Sequence, residues 1–87
     1  MNDNVDYSAP ADFYPAPASR RGALRYQRFD TLAEALRYAQ EAVSADQRTG
    51  MLIEADEIRY GRDEIAALYA ATAYPLERPA GFIRSPH

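Results

Sequence analysis

Thr31-Leu32-Ala33-Glu34 fixes where one helix of this chain begins, and the apolar stripe behind it fixes which face that helix buries. The motif is a capping box, in which the threonine hydroxyl accepts from the Glu34 N–H and the Glu34 carboxylate reaches back to the Thr31 N–H. Asp30 adds negative charge at the positive end of the helix dipole. Leu32, Leu36, Ala39 and Val43 then recur at offsets of four, seven and eleven, one stripe of a 3.6-residue helix running to about Ser44. Glu34, Arg37 and Glu41 occupy the outward positions at pairing distance.

The segments around this helix read as strands. Ala23 to Arg28 alternates, with Leu24 and Tyr26 on one face and Arg25 and Gln27 on the other; Phe29 breaks the alternation and is placed at the corner into the helix. After a polar connection, Ala45 to Gly50, the runs Met51–Ala55 and Ile58–Tyr60 flank Asp56-Glu57. A two-residue turn there sets Ala55 opposite Ile58, Glu54 opposite Arg59, and Ile53 opposite Tyr60. That register collects Met51, Ile53, Ala55, Ile58 and Tyr60 on one face and forms an opposite-charge pair on the other. Asp-Glu lacks the glycine that a type I′ turn prefers. A second helix opens at Gly61 or Arg62 with Asp63 and Glu64 in its first turn. It buries Ile65, Leu68, Tyr69 and Thr72, and stops at Tyr74 because Pro75 follows.

The expected fold is therefore α+β in the order β-α-β-β-α, a three-stranded sheet with two helices on one face. The first strand lies either parallel beside the second, through a right-handed crossover, or antiparallel to the third. Residues 22–74 form this small domain. Residues 1–21 are a Pro-containing flexible leader and residues 75–87 a Pro-containing C-terminal tail, because proline at this density blocks regular ladders. The leader is not plain, however: Phe13 and Tyr14 stand just before Pro15-Ala16-Pro17, and two rings on a backbone preset to be extended suit docking.

Composition narrows the function classes. Eighty-seven residues allow one small domain with little depth for a water-excluding active site. There is no Cys and no Lys, and the one His is His87 at the end of the tail, so no nucleophile has a base inside the fold. The protein is read as non-enzymatic. Glu54, Asp56, Glu57, Asp63 and Glu64 cluster in sequence, yet each has a local role in a turn, a helix start or a cross-strand pair, and no metal site or cofactor is expected. All ten basic residues are Arg and Ala is abundant, the mark of a GC-rich, bacterial coding bias. The polar, acidic N-terminus lacks a signal-peptide pattern and no apolar run is long enough for a membrane span, so the expected location is cytoplasmic, with no membrane association.

The expected function is protein–protein interaction or regulation, with another protein or a second copy of the chain (a homodimer) as partner, because a three-stranded sheet leaves free edges and an uncovered face. The candidate partner-binding residues are Phe13 and Tyr14 in the leader and Arg25, Gln27, Leu52 and Arg59 on the open face. The alternative is a nucleic-acid-binding accessory role for the Arg20–Arg28 segment. The net charge of −3 and the expected lack of an aromatic on the open face argue against it. Tyr26, Tyr60 and Tyr69 are assigned to the core, and Tyr38 to the boundary of the helix stripe.

Overall fold

The computed structural model of the protein describes residues 5–16 and 25–77. Arg20, Arg21 and Leu24, and the tail from residue 78 with Phe82, Ile83 and His87, lie outside the described residues. The elements are β1 (Ala11–Tyr14), β2 (Gln27–Phe29), α1 (Leu32–Glu41), β3 (Leu52–Ala55), β4 (Ile58–Tyr60) and α2 (Arg62–Ala70), with a 3₁₀ turn at Ala45–Gln47 between α1 and β3. The α+β class stands. The sheet, however, has four strands instead of three, in the order β2-β1-β3-β4 and antiparallel throughout.

The additional strand comes from the stretch read as a flexible leader. Ala-Asp-Phe-Tyr alternates cleanly: Ala11 and Phe13 are fully buried, while Asp12 and Tyr14 face the other way. Pro10 and Pro15 bracket these four residues, so neither falls within the ladder and neither removes a hydrogen bond from it. The expected neighbours of the second strand are corrected accordingly. β2 touches neither β3 nor β4, because β1 lies between β2 and β3 and pairs with both.

The phase of β2 is also the reverse of the expected one. Its register sets Phe29 opposite Ala11, Arg28 opposite Asp12 and Gln27 opposite Phe13. Phe29 and Gln27 therefore share the helix side, and Arg28 points away from it. Phe29 does not break the alternation; it sets it, by packing against Tyr38 at 5.4 Å between ring centroids. A shift of one residue flips every side chain of a strand, and so Tyr26, expected in the core, stands 49% exposed.

The four residues of the expected stripe, Leu32, Leu36, Ala39 and Val43, each have 1% exposure or less, although α1 ends at Glu41 and not at about Ser44, so that Val43 lies just past it. Thr31 caps the helix as its side chain accepts from the Glu34 N–H at 3.1 Å. The next two free amides are met by the leader, not by solvent: Leu32 N–H donates to the Ala9 carbonyl at 2.7 Å and Ala33 N–H to the Tyr7 carbonyl at 3.0 Å. At the other end the Arg48 guanidinium donates to the Val43 and Gln40 carbonyls at 3.0 and 2.8 Å, placing a cation on the negative end of the dipole. Both ends of α1 are thus closed by chain from outside it.

Glu64 accepts from the Gly61 N–H at 2.7 Å and so fixes the start of α2. Ile65 and Tyr69 are buried as expected and Leu68 is half-buried. Thr72 is exposed, because the helix ends at Ala70, four residues before the expected stop. The turn that follows returns Tyr74 to the core, where its hydroxyl donates to the Ala33 carbonyl at 3.2 Å. Tyr7 completes this side: its hydroxyl donates to the Leu68 carbonyl at 3.0 Å, and its ring meets Tyr74 edge-on. Among the described residues no helix is long and apolar enough to cross a membrane.

The β3–β4 hairpin has the expected register, Ala55–Ile58, Glu54–Arg59 and Ile53–Tyr60. Asp56 and Glu57 carry φ of 57° and 66°, the left-handed pair of a type I′ turn built without glycine. Holding a residue with a Cβ there costs about 1–2 kcal/mol. Glu57→Gly is therefore expected to stabilise the protein by about 1 kcal/mol, less the entropy glycine adds to the unfolded chain; chemical denaturation checks this as an upward shift in midpoint. Phe13→Ala is expected to cost about 3–5 kcal/mol, enough to unfold much of the population of a domain this small. A chain beginning at Arg21 should lose cooperative thermal unfolding by circular dichroism, because β2 then has nothing to pair with.

The open sheet face as candidate functional site

Both helices lie against the side of the sheet that carries Ala11, Phe13, Phe29, Ile53 and Ala55. Among the described residues no helix lies on the opposite side, and the registers order its side chains into two rows. The first row crosses all four strands as Arg28, Asp12, Glu54 and Arg59, with cations at the edges and carboxylates at the centre. The second contains Tyr14 opposite Leu52, with Tyr26 beside Tyr14 at 5.3 Å between ring centroids.

Asp12 joins the two rows. Its Oδ1 accepts from the Tyr26 hydroxyl at 2.7 Å and from Arg28 Nη1 at 2.8 Å. The Tyr26 hydrogen bond holds the Asp12 carboxyl below its ordinary value, with help from the Arg28 guanidinium and against the opposing effect of burial. The same bond pushes the Tyr26 hydroxyl above its ordinary value, and Asp12 raises Arg28 in turn. An exposed ring on a strand edge would ordinarily sample several rotamers; Tyr26 is held by its hydroxyl, with its face left open beside Tyr14.

A cleft of about 310 Å³ adjoins this aromatic pair, lined by Tyr14, Pro15, Gly50, Leu52 and Arg59. Gly50 has a φ of 91°, a conformation that favours glycine, so the cleft rim there carries no side chain. Arg59 faces Glu54 across the hairpin as expected. Yet the ion pairs within 4 Å among the described residues are Arg28–Asp12 and Arg62–Asp63, and the Arg59 guanidinium has no such partner.

Of the six residues singled out from sequence, Tyr14, Leu52 and Arg59 come together at this cleft. Phe13 does not: it is fully buried on the helix side, edge-on to Tyr38 at 5.1 Å. Gln27 is half-buried on the helix side too, not on the open face. Arg25 is exposed ahead of β2. Tyr26, Arg28 and Asp12 were missed as members of the face. The signal that could have found them is the alternation of Ala11–Tyr14 together with Phe29 as the inward end of β2. The acidic residues weighed for metal binding are dispersed over the open face, the hairpin turn and the start of α2. Among the described residues no three His, Cys, Asp or Glu converge.

No known protein family, no curated protein and no solved structure matches this chain.

The Asp12 contacts give a pH dependence. A carboxyl whose native value is depressed stabilises the fold fully above its unfolded value, near 3.8, and this contribution fades as pH falls through the lower native value. NMR titration of the Asp12 carboxyl should therefore find it ionised below the ordinary range. In Asp12→Asn, the Tyr26 hydroxyl should titrate closer to 10 than in the native protein.

Proposed function

We propose that this protein is a small non-enzymatic binding domain of the cytoplasm that docks another protein, a second copy of itself included, on its open sheet face. One observation carries the reading: Tyr14, Tyr26 and Leu52 sit together on the side that no helix among the described residues covers, and the Tyr26 ring is held in place by Asp12. Aromatic side chains held rigidly give large contact area at small entropic cost, which is why they anchor protein interfaces. The sheet edges are weaker candidates than the face. β2 and β4 are three residues each with an arginine at the middle, a composition that discourages strand addition.

The test is a paired capture from the native host, using the full chain and a Tyr26→Ala, Leu52→Asp variant, with sedimentation velocity on both. Partners or dimer present with the native chain should be absent with the variant, while its far-UV spectrum stays unchanged. Equal recovery by both chains sinks the reading.

A second reading has support that sequence alone did not give it. Tyr14 and Tyr26 are aromatics on the open face, flanked by Arg28 and Arg59, and single-stranded nucleic acid is bound by such platforms. Two features weigh against it: Asp12 consumes Arg28, and Glu54 places a second carboxylate in the path a phosphate backbone would follow. Labelled single-stranded RNA at low salt is expected to show no saturable binding at micromolar protein. Binding that falls steeply with salt and is lost in Arg28→Ala with Arg59→Ala would reverse the ranking.

A further inference from the structure

The two edge strands carry equivalent arginines with unequal fates. Arg28 on β2 is tied to Asp12 at 2.8 Å. Arg59 on β4 has Glu54 as its register neighbour but closes on no carboxylate within 4 Å among the described residues, and it lines the cleft. The other described residues that line it are Tyr14, Pro15, Leu52 and Gly50, none of them charged. An apolar hollow with one uncommitted guanidinium at its rim selects a ligand that joins an apolar group to an anion.

We infer that the cleft takes a peptide segment of another protein in which an aromatic or branched aliphatic side chain stands next to a carboxylate. The apolar side chain lies between Tyr14, Pro15 and Leu52, and the carboxylate accepts from the Arg59 guanidinium. A peptide fits better than an isolated small acid, because the Tyr14–Tyr26 pair extends the apolar surface beyond the cleft and gives neighbouring residues something to cover. The charge row agrees: Arg28 at one edge is already paired with Asp12, which leaves Arg59 at the other edge as the cation of the row with no ion pair among the described residues. The inference rests on the protein-docking reading above and names its partner's chemistry.

The experiment is selection of a phage-displayed random dodecapeptide library on the full chain, followed by calorimetry and ¹⁵N–¹H shift mapping with the enriched peptides. Enriched sequences should pair an Asp or Glu with an adjacent aromatic or branched aliphatic residue, and shifts should move at Tyr14, Gly50, Leu52 and Arg59. Arg59→Ala should weaken binding about tenfold or more, and Arg59→Lys by less, as expected when a charge-assisted contact is lost or only loosened. Peptides that map to the open face but show no acidic preference, or bind Arg59→Ala as well as the native chain, overturn this inference and leave the docking reading in place. Peptides that map elsewhere, or no enrichment, overturn both. Displacement of the peptides by micromolar oligouridylate overturns both in favour of the nucleic-acid reading.

Discussion

The backbone ladder of Ala11–Tyr14 is the interaction on which the rest of this structure depends. β1 hydrogen-bonds to β2 on one side and β3 on the other, and these two strands have no other route to one sheet. A four-residue segment thus converts a lone three-residue strand and a hairpin, each marginal by itself in water, into a continuous layer. Its inward residues, Ala11 and Phe13, then fill the centre of the surface on which α1 lies. The same segment upstream gives its carbonyls to the first amides of α1 and its Tyr7 hydroxyl to α2. Sheet, helix start and helix pairing are tied to one stretch of chain.

The parts of the fold legible in the sequence were those whose signals are local. The α1 cap and stripe, the β3–β4 register and the acidic start of α2 depend on residues within one element or one turn. What was not legible depends on partners far along the chain. Proline density around Ala11–Tyr14 argues against a strand until it is noticed that Pro10 and Pro15 stand just outside it. Three-residue β2 is too short for its own alternation to declare a phase, so the Phe29–Tyr38 contact decides it. α2 ends at Ala70, and the turn after it brings Tyr74 to a tertiary hydrogen bond with Ala33 that no helical periodicity encodes.

The candidate site shows the same division. Leu52 and Arg59 were readable as open-face residues because the hairpin fixes them; Tyr14 was readable only as an aromatic standing out in a polar leader, with no place on the sheet. The Tyr26–Asp12–Arg28 cluster was not readable, since Asp12 lies in one strand and its partners in another whose phase was inverted. Inverting that phase also changes the chemistry of the surface: the face expected to hold no aromatic holds two.

The central position of β1 also orders events in time. Chain synthesis delivers β1 first, and it can meet β2 across the short excursion between residues 14 and 27. Its other edge stays bare until β3, more than thirty residues later, has been made. During that interval α1 is made and can cover Phe13 and Phe29 through Tyr38, but the β1–β2 ribbon keeps one unpaired edge. Such a ribbon is the form of this chain most prone to pair with a neighbour. The closing ladder is a long-range contact, and it sets a slower clock than either helix would alone.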